Sequence, residues 1–293
     1  MQNIYSKSLI LLLFFLAACA TSPPDLPPVN WLGIFPEDSS ILFSVKPFKH
    51  VRSIVESILK DNGFLSSDIK SLLKNTKEIY GSIKIQSGKP IYYSFALLGL
   101  YHSPCLEIGM DLSKGWYKDK KTHRFWHQKE GHLKISHPVS YLILLSNHDM
   151  NILLSQIKSP HKLIMAPEIE NIMEKGDATF LITRFGQELI PGEIPINTKR
   201  LPIREVWLNI AASTEGFSLN SSFNLINNEN AELFTTSFKT FVIWLMRNAK
   251  IIKFTDRIDI KTYEAYVKII STSFSENEIK NMLNVLLNNK NEF

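Results

Sequence analysis

The chain has 293 residues, 44% of them hydrophobic, with 33 Lys and Arg against 28 Asp and Glu, for a formal net charge of +5. That length and apolar fraction describe a globular body able to bury a sizeable core as one domain or two. The basic residues are dispersed rather than clustered, which argues against a nucleic-acid partner, and two cysteines exclude a disulfide framework.

Lys7 is the only charge in the first 24 residues, and Ser8 to Leu16 follows as a nearly unbroken apolar run. The run is about half the ~20 residues a membrane-spanning helix needs, which is the length of a signal-peptide core. Leu16-Ala17-Ala18-Cys19 closes it and looks like a bacterial lipobox, in which the cysteine is lipidated and the chain is cut before it. Residues 1–18 are therefore expected to be a signal peptide, with acyl chains of the palmitate type on Cys19. Several chains on one cysteine anchor stably where a single one is marginal. Pro23, Pro24, Pro27 and Pro28 make residues 19–35 an extended tether. Ala20, where a retention signal would have Asp, favours the outer membrane over the inner one. A mildly basic body facing anionic headgroups suits that place.

Beyond the tether, strands are expected at Ile41–Lys46, Gly81–Ile85, Ile91–Leu100, Leu106–Met110, Leu133–Ser136, Tyr141–Leu145, Thr179–Arg184, Glu205–Ala211, Phe217–Leu225 and Tyr263–Ser271, from their alternation and β-branched content. Gly216, between two alternating runs, reads as a hairpin turn. Val51, Ile54, Val55, Ile58 and Leu59 form a helical stripe, as do Ile69, Leu72 and Leu73, and Met150, Leu153, Leu154 and Ile157. In the last helix Ser275 and Glu278 have capping-box spacing, ahead of an apolar stripe through Ile279, Met282, Leu283, Leu286 and Leu287. Strands grouped between helices predict an α+β fold with antiparallel sheets.

Two stretches share a grammar. "EDSSILFSV" (Glu37 to Val45) aligns with "GDATFLITR" (Gly176 to Arg184), Asp38 on Asp177. A strand, polar cap and helix recur in "HPVSYLILLSNHDMNILLSQIK" and "TYEAYVKIISTSFSENEIKNMLNVLL". The expectation is two repeated halves, 36–162 and 163–293, each an antiparallel sheet with packed amphipathic helices.

No nucleophile elbow, zinc helix or phosphate loop is present. "SDIK" and "SLLK" offer Ser67, Lys70, Ser71 and Lys74 in Ser-x-x-Lys spacing, without the partner motifs acylated serine enzymes need. Cys105 reads as a small buried hydrophobe, since no base accompanies it. His123, His127, His132 and His137 invite a zinc reading, but the spacing is irregular, and on a strand His132 and His137 face opposite ways. Trp116, Tyr117, Phe125 and Trp126 stand among Lys118, Lys120, Lys121 and Arg124. That composition suits either a loop resting on a membrane interface or one tucking its rings into the core. No catalytic residue, metal site or cofactor is assigned.

The segment Asn228 to Lys250 carries a stripe through Ala231, Phe234, Phe238, Phe241 and Leu245, and Phe241 to Met246 is apolar on every side. Something must cover it: the rest of the fold, a partner, a lipid or the bilayer surface. Phe238, Phe241, Trp244 and Leu245 are the candidate lipid- or partner-binding residues.

"FPEDSSILFSVKPFKHV", the "TEGFSLNSSF" hairpin with its helix, and the closing strand and helix resemble poorly characterised bacterial envelope proteins, among them spirochaete outer-membrane-associated lipoproteins. The resemblance spans about 250 residues of pattern. It implies a non-enzymatic envelope role with amphipathic helices that engage lipid, and it carries no functional residue across. The expected function is a non-catalytic, lipid-anchored envelope protein that binds lipid or the membrane surface through its apolar helix. The alternatives are a scaffold for another envelope protein and an unrecognised periplasmic hydrolase or metal-dependent enzyme.

Overall fold

The computed structural model describes residues 31–46, 73–86, 89–101, 103–112, 115–129, 131–161, 177–183, 203–213, 216–251, 257–271 and 273–288. The expected signal peptide, Cys19, the stripe through Val51 to Leu59, and Ser67, Lys70 and Ser71 lie outside them. Five apolar-rich residues, β1 (Ile41–Val45), run through the middle of a single antiparallel sheet. On one side of β1 lie β2 (Thr76–Gln86), β3 (Lys89–Gly99), β7 (Leu142–Ser146), β6 (Lys134–Val139), β5 (Trp126–Gln128) and β4 (Trp116–Lys118). On the other side lie β8 (Ala178–Ile182), β9 (Ile203–Ser213), β10 (Gly216–Leu225), β12 (Tyr266–Ser271) and β11 (Ile258–Tyr263). Outward from the β1–β8 seam both sides run through a strand, a long hairpin, then a hairpin whose second strand pairs first, and the first side continues into β5 and β4, which have no counterpart on the second.

The antiparallel α+β class therefore holds, with one correction to the expected layout. The sheet is continuous rather than two separate sheets, because β1 pairs with β8 as fully as with β2.

Cross-strand partners share a face, so the register sorts the core. Phe43, Phe95, Leu145, Ile135 and Trp126 stand in one row on the first face, with Gly81 between the two phenylalanines. That face is covered by helices α1 (Ser103–Leu112), α3 (Asn228–Asn248) and α4 (Glu276–Asn288). Leu42, Leu181 and Trp207 stand in a row on the second face. There a 3-10 turn (Trp31–Ile34) and α2 (Met150–Gln156) bury Trp31, Ile34, Met150 and Leu153 against Leu98, Leu142 and Leu144.

Leu106–Met110, expected as a strand, is helical. Pro104 sits in the first turn of α1, where its missing N–H costs nothing, and Leu106 and Met110 fall one turn apart on the side facing the core. β4, β5 and β11 had no expectation of their own. β4 and β5 have three residues each, too few to show a period, and β11 merges in the sequence with β12. Elsewhere among the described residues the local signals hold. Gly216 has φ of 133°, in a region other residues avoid, and a Cβ there would stand 2.5 Å from the Phe274 carbonyl oxygen.

The capping box at α4 forms as spaced. The Ser275 N–H donates to Glu278 Oε2 at 2.8 Å, and the Glu278 N–H donates to Ser275 Oγ at 3.3 Å. Arg257 adds two bonds to the same carboxylate, at 2.8 and 3.1 Å, with its guanidinium over the Phe274 ring. The Arg257 bonds, then those from Ser275, hold the Glu278 carboxyl down at about 2.

Two predictions follow from these contacts. A methyl on Gly81 would fall 2.2 Å from Cζ of Phe43, whose ring is hemmed in by Phe95 and Phe180. Gly81→Ala should lower stability by about 1–3 kcal/mol in urea denaturation, and Phe43→Leu on top of it should recover part of that loss. Glu278→Gln should cost about 1–2 kcal/mol at neutral pH. A depressed carboxylate stabilises above its unfolded value of about 4.3, so the gap between wild type and variant should close as pH falls from there toward about 2. A gap that stays constant over that range would show that the carboxylate charge does not matter.

Candidate functional site

Helix α3 begins at Asn227, whose side-chain oxygen accepts the Asn230 N–H at 2.9 Å. It ends where Lys250 turns left-handed at φ 59°, with Ile251 N–H bonded to the Met246 carbonyl and Lys250 N–H to that of Arg247. This is the Schellman pattern, reached without glycine, and the buried Ile251 and Met246 make it worthwhile.

An aromatic row runs along the inner side of the helix. Phe234 lies 4.6 Å from Phe223 of β10 and 5.2 Å from Phe238. Phe238 is 5.5 Å from Phe241, and Phe241 is 5.8 Å from Trp244. These separations suit tilted and offset ring contacts. Phe238 and Phe241 touch both the central cluster and the satellite cluster under the helix, so they join the two.

The four candidate residues thus divide. Leu245 is buried core. Phe238, Phe241 and Trp244 are partly covered, with their inner edges packed on the sheet and the remainder open. The fold accounts for much of the apolar run, including Val242 and Met246.

On the outer side of α3, Ile243 belongs to the run read as apolar all round, whereas Leu233, Thr236 and Thr240 were not singled out from the sequence. Leu233 is 58% exposed and Ile243 39%, and Thr236 and Thr240 lie between them at spacings of three and four. Each of these threonines bonds its hydroxyl back to the carbonyl four residues earlier, at 3.4 and 3.3 Å. The outward ridge is therefore less polar than its composition suggests. Glu232, Lys239 and Arg247 flank it.

The histidines do not converge. His123 and His132 are exposed, and His137 is buried with its ring edge-on to Tyr101. Burial lowers its pKa. His127 stacks on Tyr117 at 5.0 Å and bonds Asp119 at 3.1 Å. Among the described residues, no three His, Cys, Asp or Glu side chains are grouped to hold a metal ion.

The aromatic-basic loop resolves mainly into its second reading. Trp116, Phe125 and Trp126 are buried, and only Tyr117 of the four rings is largely exposed. Trp126 Nε1 donates to Asp111 at 2.7 Å and the Lys118 ammonium lies over its ring. Among the described residues, no helix is long and apolar enough to cross a membrane.

No curated protein matches the chain. The family model described as outer membrane-associated lipoprotein TP0453 matches residues 27–229. The match ends as α3 begins, so it adds nothing about that helix. The fold is similar to solved structures of TP0453. Crystal form I has a TM-score of 0.66 at 17% identity, covering 89% of this chain and 98% of the other. Crystal form III has a TM-score of 0.62 at 16% identity, covering 89% and 100%. At such identities the likeness is one of fold, and the family follows from the sequence match over most of the chain: it belongs to the outer membrane-associated lipoprotein TP0453 family.

Proposed function

We propose that this protein is a non-catalytic lipoprotein, anchored through Cys19, whose α3 rests its outer ridge on the membrane surface or another amphiphile. The observation that carries the reading is the ridge Leu233–Thr236–Thr240–Ile243. It combines two exposed aliphatic side chains with hydroxyls already bonded within the helix. Such a surface loses little on leaving water, and Phe241 and Trp244 extend it at its margin.

The common plan of the two sides of the sheet supports a further part of the reading, that residues 36–162 and 163–293 are repeated halves. The β1–β8 register sets Leu42 opposite Leu181, the residue onto which the sequence alignment maps it. A two-fold relation between the halves requires one such pair of equivalent residues facing each other in the seam.

The test uses residues 20–293 without acyl chains, which retain every described residue, floated with zwitterionic vesicles at high salt to silence charge. Wild type should float. Ile243→Glu and Leu233→Glu, at exposed positions where folding tolerates change, should each reduce the bound fraction about tenfold or more. If wild type stays at the bottom of the gradient, α3 makes no apolar contact with lipid, and a stoichiometric envelope partner becomes the reading to pursue.

A further inference from the structure

The turn between β4 and β5 carries Lys120, Lys121 and Arg124 within five residues, all exposed. Its one carboxylate, Asp119, is occupied. It accepts from the Thr122 N–H at 2.7 Å, the Thr122 hydroxyl at 2.8 Å, the Lys121 N–H at 3.1 Å and His127 Nε2 at 3.1 Å. The Asp119 N–H donates to the Phe125 carbonyl, and the Asp119 carbonyl accepts the His123 N–H. The turn is therefore preformed, and the carboxylate that could neutralise its cations is turned inward. Asp111, the next carboxylate along α1, takes the Trp126 N–H.

The turn also has a fixed relation to the tether. Phe125 at its base and Trp31 are buried in one cluster on the second face, so the expected tether of 19–35 is not extended to its end: from Trp31 the chain is a buried 3-10 turn. Trp31 packs on Tyr141 beside β7, and β7 is three strands from β4, a lateral distance of about 14 Å. From Cys19 the chain reaches Trp31 in twelve steps, at most about 43 Å. An anchor at Cys19 thus leaves this margin of the sheet within reach of the bilayer.

We propose that the β4–β5 turn docks the body on anionic phospholipid headgroups, with Lys120, Lys121 and Arg124 against the phosphates of the bilayer that holds the anchor. The inference rests on the lipid-anchored reading but not on α3. Three cations at an anionic surface favour the docked state by on the order of 100-fold at low salt, and the bias fades as the Debye length shrinks.

The test uses the mature lipidated chain in phosphatidylcholine vesicles with and without phosphatidylglycerol. Acetylation of Lys120 and Lys121 by an amine-reactive reagent is followed by mass spectrometry. With phosphatidylglycerol at low salt the two lysines should react about tenfold more slowly, and high salt should restore the rate. Arg124→Gln should weaken the protection about fivefold, whereas Ile243→Glu should leave it intact. Equal rates in the two vesicles, protection that survives high salt, or the same protection in detergent micelles would overturn the proposal. Protection lost in Ile243→Glu would overturn it too, by making α3 the contact.

Discussion

The pairing of β1 with β8 sets Phe43 against Phe180, rings 5.7 Å apart and nearly parallel, at the middle of a twelve-stranded sheet. Every other element refers to that seam. β2, β3 and β7 extend from one side of it and β9, β10 and β12 from the other, and the helices on the first face lie over the rows that Phe43 and Phe180 begin. The seam is apolar on this face and mixed on the other. There Ser44 pairs with Thr179, and Thr179 accepts from Asn209, in a row with almost no solvent access. Small hydroxyl and amide side chains keep the second face thin at the seam.

Much of this order was legible because strand alternation and cap chemistry are local. β9 and β10 show their period over ten or more residues, and Ser275 and Glu278 state the start of α4 within four. What stayed hidden depended on partners distant in the chain. Leu106–Met110 has an alternation that suits a strand. Only the position of Pro104 and the sheet face beneath favour a helix. Trp116 and Trp126 looked like surface aromatics because lysines surround them, yet Lys118 lies over the Trp126 ring as a lid. The apolar run in α3 left open whether the fold or a ligand covers Leu245, and the fold buries it. Of the open apolar residues, Ile243 belongs to the run that is apolar on every side, whereas Leu233 lies on the side that the stripe method discards as polar, since threonines share it. Back-bonded hydroxyls are invisible to a hydropathy count.

The two candidate contacts with the membrane differ in kind. The α3 ridge is apolar, so a contact through it would be insensitive to salt, and its helix packs by the opposite side over β10 and β12. The β4–β5 turn is cationic and lies at the far margin, beyond β6. Their separation across the sheet means that the body need not present both at once. If Cys19 anchors the chain as proposed, two dissimilar surfaces suit a body whose orientation at the bilayer responds to lipid charge.

The seam also has a kinetic consequence. β1 acquires its second neighbour only after β2 to β7 have been made, so a first half that folded ahead of the second would be a seven-stranded sheet with an open edge at the apolar β1. Such an edge is a template for pairing with another chain, and closing it demands a contact of long sequence separation, which slows folding. A first half waiting for β8 would be the state most exposed to self-association, and the one a chaperone of the envelope would have most to protect.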